Sequence, residues 1–292
     1  FFLKMPVTLD KYDLSGNVII LTGATDGIGK DMARILAGFN PKRLILPARN
    51  KEKGKILLEY IKTSNGNADN VEVWEMDLAD LQSVKNFANK FINQVGELHM
   101  LFNNAGVWIN SKETVQTTKD NLEMQFQVNH LAPFFLTTLL LDTVRKSVSA
   151  ELPGKLAFTS SMISKLGEID FDNLNHEKGS YWHPFKDYYA NTKLMNIVTS
   201  NEFGRIVQNE NIMTYSFHPG VIKTNVGHEN EDFISKFTSN LFVKTMGITI
   251  EQGAINSLYP VLANNESGKY YHDGIEQEPN KLAHDQELAK KL

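Results

Sequence analysis

Asn17-Val18-Ile19-Ile20-Leu21-Thr22-Gly23-Ala24-Thr25-Asp26-Gly27-Ile28-Gly29 is the stretch that decides the fold. A short apolar run ends in a turn with three glycines, and a helical pattern over 28–39 follows at once. Such a continuous apolar run suits a parallel strand buried on both faces. Glycines permit a tight turn and close backbone approach to a ligand. The helix start adds unpaired N–H groups and a positive dipole end, which together suit a pyrophosphate. The spacing is Gly-x3-Gly-x-Gly, and three glycines so close could also form an ordinary turn. Their place between a first strand and a first helix favours nucleotide binding.

Outward from this turn the same alternation continues. Residues 43–49, 71–78, 98–106, 155–161, 212–220 and 268–272 read as further strands. Helical patterns lie between them, as over 83–95, where Val84, Phe87, Phe91 and Val95 recur three or four apart. Strand–helix alternation predicts an α/β chain, a Rossmann-type doubly wound parallel sheet of about seven strands with helices on both faces. The chain has 292 residues, which could hold two domains. The alternation runs without a break, so the reading is one domain over 17–292 after an extension over 1–16.

Composition narrows the function. Apolar residues at 41% and charged residues at 22% are ordinary globular usage and exclude long disorder. A net charge of −4 argues against a nucleic-acid coat, which needs a clustered positive field. Cysteine is absent, which removes disulfides, thiolate metal sites and a Cys nucleophile, and nothing argues for an oxidising compartment. The expected location is the cytoplasm. The longest apolar run, 131–141, is too short to span a bilayer and is broken by Pro133. The chain opens on Phe1 without a Met, which reads as a trimmed start or as the loss of an upstream membrane or lipid-droplet anchor. The eight histidines and scattered carboxylates show no ligand spacing, so no metal is expected; His99 reads as core and His218 as structural.

The position about 20 residues past the glycines usually carries an acid for the ribose 2′-OH. Here it is Arg49. A guanidinium fork suits a 2′-phosphate, which points to NADP(H); the alternative is a solvated surface arginine. Tyr189 and Lys193 stand four apart on a predicted helix and share a face. A nearby ammonium stabilises a phenolate, so this spacing can turn a tyrosine into an acid/base near neutral pH. No other tyrosine of the chain has Lys at the fourth following position.

With these motifs in order, the chain resembles the short-chain dehydrogenase/reductase family. Thr22-Gly23-Ala24-Thr25-Asp26-Gly27-Ile28-Gly29, Asn103-Asn104-Ala105-Gly106, Tyr189-Ala190-Asn191-Thr192-Lys193 and Pro219-Gly220 with Thr224 are similar to its segments across 17–272. Residues 169–175 and 267–271 resemble the retinol dehydrogenase and WW-domain oxidoreductase group, and the chain is also similar to fungal carbonyl reductases. The resemblance implies a catalytic set of Asn129, Ser161, Tyr189 and Lys193. Ser161 would donate to the substrate carbonyl oxygen. Ser160 is its rival, but alternation along a strand separates the two side chains, and Ser164 is a third candidate. The implied cofactor contacts are Gly23, Thr25, Asp26, Gly27, Ile28, Gly29, Arg49, Asp77, Leu78, Asn104, Ala105, Gly106, Tyr189, Lys193, Pro219, Gly220, Val221 and Thr224. Asp77 would accept from the adenine amino group or, alternatively, cap the next helix. The carboxylate of Asp26 would repel a phosphate and should turn away.

Asn129 has a physical argument of its own. Pro133, four residues on, has no N–H, so the Asn129 carbonyl loses its helical partner and can hold a water that feeds protons toward Lys193. Alternatively Asn129 only ties its helix to neighbouring strands. The substrate side is expected from loops 162–188 and 225–249, with Trp108, Met162, Leu166, Trp182, Phe185, Phe233 and Phe237 lining an apolar pocket. The expected activity is NADPH-dependent reduction of an apolar ketone or aldehyde. The alternatives are a retinol- or steroid-type alcohol dehydrogenase and a catalytically silent dinucleotide-binding scaffold. The oligomeric state is left open.

Overall fold

The computed structural model describes residues 6–109, 115–177, 188–222 and 247–292. Their strands form one sheet in the order β3-β2-β1-β4-β5-β6-β7-β8. The strands are β1 (Val18–Leu21), β2 (Arg43–Ala48), β3 (Val71–Glu75), β4 (Met100–Asn103), β5 (Gly154–Thr159), β6 (Ile212–His218), β7 (Lys269–His272) and β8 (Ile275–Glu276). The first seven are parallel and fall on the seven segments read from the sequence. The eighth was not foreseen. It is two residues long and pairs antiparallel with β7 through Asp273 and Gly274, both at positive φ. An Asp-Gly pair suits a tight hairpin turn, but two residues carry no periodicity to detect.

Helices cover both faces. On one lie α1 (Gly27–Gly38), α2 (Lys51–Asn65) and α7 (Ile250–Ala263). Met32, Leu36, Leu57, Ile61, Ala254 and Leu258 share a core there with Ile19, Leu21, Leu44 and Leu46. On the other lie α3 (Leu81–Gln94), α5 (Ala132–Ser147) and α6 (Tyr188–Ile206). There Val84, Phe87, Leu136, Leu140 and Phe203 pack against Val18, Ile20 and Ile45. Successive residues of β1 thus feed opposite cores, as the two-residue strand period requires.

The two glycine-turn neighbours β1 and β4 lie side by side, with β2 and β3 on one flank and β5 to β8 on the other. The strand order reverses at this point, and open α/β sheets bind ligands beyond the strand ends at such a reversal. Before α5 the chain forms a short helix α4 (Met124–Phe126) and a π-helical turn, Gln127–Leu131, in which the Ala132 N–H reaches the Gln127 carbonyl. Pro133 cannot close the ordinary α-helical bond to Asn129, and the wider turn falls on that break.

Candidate active site

In the glycine turn the end of β1 and the start of α1 come into close contact. A Cβ on Gly29 would stand 2.1 Å from the Gly23 carbonyl oxygen, so the helix start and strand end touch through backbone alone. Gly27 has φ +52° and nothing within 4 Å of its missing Cβ, so the turn opens there. The first bond of α1 runs from the Lys30 N–H to the Asp26 carbonyl at 3.2 Å, which leaves the Ile28 and Gly29 N–H groups ahead of the helical ladder. The Asp26 carboxylate does not swing clear. It caps α1, accepting from the Gly27 N–H at 2.8 Å, because a helix start rewards a side-chain acceptor even where charge argues otherwise. An anion here would rely on the next two N–H groups. Thr25 and Ile28 are half-buried beside them.

Thr22 was quoted in the motif, but its role was not foreseen. Its Oγ1 accepts from the N–H groups of Asn104 and Ala105, each at 3.0 Å. The Asn104 amide donates to the Thr22 carbonyl at 2.9 Å. These bonds lock the two strand ends on either side of the crevice.

Arg49 is exposed at the end of β2 and forms no ion pair with any described residue. Its neighbours are engaged: Asn50 caps α2 and Lys51 pairs with Glu75 at 3.1 Å. Asp77, half-buried after β3, accepts from the Ala79 N–H at 2.9 Å. The cap of α3 is Asp80, which accepts from Gln82 and Ser83, so the capping alternative for Asp77 does not hold. The Leu78 carbonyl is taken by Gln127, whose amide also donates to Asp120 at 2.7 Å. Gln127 and Asp120 carried no sequence signal, since an isolated buried amide follows no pattern. Pro219 and Gly220 are buried after β6, and the Asn256 amide donates to the Pro219 carbonyl at 3.0 Å. Val221 accepts from the Ile248 N–H at 2.8 Å. Thr224 lies outside the described residues, as do Trp182, Phe185, Phe233 and Phe237.

Three of the four residues expected to be catalytic, Asn129, Tyr189 and Lys193, meet beyond the ends of β4 and β5. Lys193 is 2% exposed, and its Nζ donates to the Thr159 carbonyl at 3.1 Å and lies 5.3 Å from the Tyr189 ring centroid. A Cβ on Gly106 would come within 3.1 Å of the Lys193 Nζ and 3.3 Å of the Asn129 Oδ1, so these groups meet at the Asn-Asn-Ala-Gly segment. Burial pulls the Lys193 ammonium down to about 8. Asn129 uses its side chain as a clamp: Oδ1 accepts from the Val107 N–H at 2.7 Å, and Nδ2 donates to the Val107 carbonyl at 2.9 Å and to Thr192 Oγ1 at 3.2 Å. Thr192 in turn donates to the Tyr189 carbonyl at 2.8 Å, so Asn129 is bonded into the tyrosine's own helical turn.

The serine doublet divides by burial. Ser160 is 2% exposed and donates to the Lys193 carbonyl at 2.7 Å. Ser161 is half-buried and caps the 3-10 turn Met162–Leu166. Ser164 is fully buried behind that turn. Trp108 stands 56% exposed with its ring 6.1 Å from that of Tyr189, and Met162 and Leu166 are exposed too. His99 is buried, and its Nδ1 accepts from the Val18 N–H at 3.1 Å. His218 is buried against His272 at 4.7 Å between rings, and burial, then His272 and Lys193, push it down to about 3. Among the described residues no three His, Asp or Glu side chains gather as metal ligands, and no helix is long and apolar enough to cross a membrane.

A parallel sheet with a glycine turn at its reversal point, and helices on both faces, define a Rossmann-like α/β protein, in which a buried lysine stands beside a tyrosine one helical turn away. A family model described as short chain dehydrogenase matches residues 17–234, and the chain belongs to that family. Human retinol dehydrogenase 13 is 35% identical over 292 residues, covering 97% of this chain and 84% of that protein. Human retinol dehydrogenase 12 is 36% identical over 264 residues, covering 89% and 78%. The RhlG/NADP active-site complex of Pseudomonas aeruginosa has the same fold, with a TM-score of 0.70 at 19% identity over 90% of this chain and 97% of that chain. The family binds a nicotinamide dinucleotide and acts at CH–OH or C=O groups of small molecules.

Proposed function

We propose that this chain is an NADPH-dependent carbonyl reductase for an apolar ketone or aldehyde. The observation that carries the reading is the buried Lys193 Nζ set 5.3 Å from the Tyr189 ring, beside the open face of Trp108. The bound dinucleotide would lie along Gly23–Gly29, Asp77–Leu78, Asn104–Gly106 and Pro219–Val221, and its reduced nicotinamide would supply the hydride. Tyr189 gives the proton to the carbonyl oxygen. Lys193 holds positive charge close to the phenol and favours its ionised form once the proton has left. Ser161 donates to the same oxygen and orients the carbonyl. The Asn129 carbonyl, at the break made by Pro133, holds a water that returns protons by way of Lys193. Arg49, exposed and free of a carboxylate partner among the described residues, supports a 2′-phosphate and hence NADPH over NADH.

A retinoid-type lipid alcohol or aldehyde is the second reading. It is favoured by the retinol dehydrogenases at 35% and 36% identity and by the exposed Trp108, Met162 and Leu166. Turnover of a panel containing 4-nitrobenzaldehyde, a bulky aryl ketone and retinal, each with NADPH and NADH, separates the two. In the same assay Tyr189→Phe should lose NADPH oxidation by about a thousand-fold or more while keeping cofactor binding. Wild-type turnover in that variant would remove Tyr189 from the mechanism. No turnover of any carbonyl by the wild type, with NADPH bound, would favour a silent scaffold.

A further inference from the structure

Ser161 begins a turn that two other parts of the chain hold in place. Its Oγ accepts from the Ile163 N–H at a long 3.4 Å, which spares the hydroxyl proton for a substrate oxygen. The 3-10 turn Met162–Leu166 ends at Gly167, whose N–H donates to the Ser164 carbonyl at 3.1 Å, and the carbonyls at such an end carry the negative end of the dipole. The carbonyls of Ser164, Lys165 and Gly167 converge on one nitrogen, the Nδ2 of Asn280, at 3.2, 3.1 and 3.0 Å. The Oδ1 of the same side chain accepts from the Leu282 N–H at 3.0 Å and caps the 3-10 turn Lys281–His284.

That second turn is rooted on the helix of the tyrosine and lysine. Ala283 and Ala289, with Leu282, Leu288 and Leu292, pack with Leu194, Ile197 and Val198 of α6. The helix also meets the serine turn directly: a Cβ on Gly167 would lie 2.6 Å from the Ala190 carbonyl, and the Glu168 N–H donates to Asn191 Oδ1 at 2.8 Å. Ser161 and Tyr189 belong to different elements, and the C-terminal segment contacts both elements, the serine turn at Ser164, Lys165 and Gly167 and α6 at Leu194, Ile197 and Val198.

We propose that Asn280 is a positioning residue, which gathers the carbonyl end of the Met162–Leu166 turn and so sets the Ser161 hydroxyl relative to Tyr189. The proposal rests on reading Ser161 as the donor to the substrate carbonyl. Asn280 itself touches no reacting atom; it acts through the turn. One amide carries two protons for three oxygens, so the bonds are shared, and a side chain without the N–H₂ releases them together.

Two variants separate the clamp from the cap. Asn280→Ala removes both, whereas Asn280→Asp keeps an acceptor for Leu282 and removes the donor to the three carbonyls. With NADPH and 4-nitrobenzaldehyde, both should lose about ten-fold in kcat with the KM for NADPH unchanged within about two-fold. In a Ser161→Ala background the same substitutions should cost less than about two-fold more, because the residue they act through is gone. Hydrogen exchange of the Ile163–Gly167 amides should speed up in both. Equal losses in the wild-type and Ser161→Ala backgrounds, wild-type kcat in Asn280→Asp, or unchanged exchange would each overturn the proposal. A Ser161→Ala variant as active as the wild type would instead overturn the reading of Ser161. If wild-type protein leaves the aldehyde unreduced, the exchange measurement decides whether Asn280 holds the turn.

Discussion

Lys193 is a charge-bearing group placed where charge is costly. It is 2% exposed, donates to the Thr159 carbonyl at 3.1 Å, and lies beside Tyr189. A group so buried, with no carboxylate partner among the described residues, makes sense where positive charge is wanted for another group rather than for stability. Arg49 is the opposite case, an exposed cation with no partner among the described residues. Its chemistry belongs to this scale, because in the proposed reading a single guanidinium would hold the ribose 2′-phosphate. Arg49→Asp should lower the ratio of kcat/KM for NADPH over NADH by about ten- to a hundred-fold, the loss expected for one bidentate charged contact. An unchanged ratio would assign Arg49 to the solvated surface. Both residues were legible as motif positions. The roles of Thr22, Gln127 and Asn280 were not legible, since they are hydrogen bonds to residues 82, 49 and 113 positions away.

At the scale of elements, strands and helix starts were readable because their causes are local. Apolar runs and glycines act within a few residues; the caps are as local, with Asp26, Asn50 and Asp80 capping α1, α2 and α3, but the sequence reading turned Asp26 away and considered Asp77 for α3. Helix α6 shows where local reading fades. Thr192, Asn196, Thr199 and Ser200 are buried along with Leu194, Ile197 and Val198, so the helix has no apolar stripe to find. The sheet lies on one side of it and the C-terminal segment on another. The glycine turn carries a prediction at this scale. Gly29→Ala would force a Cβ to 2.1 Å from the Gly23 carbonyl oxygen, a backbone atom that cannot swing aside, and to 2.6 Å from the Asn104 Nδ2. We expect a destabilisation of about 2–3 kcal/mol and a rise of ten-fold or more in the Kd for NADPH by titration. Wild-type affinity in that variant would mean that the turn does not hold the dinucleotide.

At the scale of the whole molecule, two lysines buried among the described residues, Lys155 and Lys193, set a pH dependence of stability. Lys155, 6% exposed in β5, donates to the Val261 carbonyl at 2.6 Å near the end of α7. Burial pulls it, like Lys193, down to about 8 from an ordinary 10.5. Between those values the unfolded chain binds more protons than the folded one, so stability rises with pH across that window. Above about 10 the buried tyrosines Tyr215, Tyr270 and Tyr271, held above their ordinary value by burial, reverse the trend as the unfolded chain ionises first. Lys155→Met should therefore flatten the gain in Tm between pH 8 and 9.5, and the variant should match or exceed the wild type near pH 7. An identical rise in both proteins would show that Lys155 is not the source.

The chain's own order of residues determined the parallel sheet, the position of the nucleotide turn and the Tyr189–Lys193 pair, because each depends on spacing within a strand, a turn or a helix. Tertiary structure alone decided which serine faces outward and how Asn129 is engaged by Val107 and Thr192. It also brought Asn280 to the Ser161 turn across more than a hundred positions of sequence. The reason is physical: periodicity records which face of an element is buried, while a hydrogen bond between distant segments exists only once packing has brought a donor and an acceptor together.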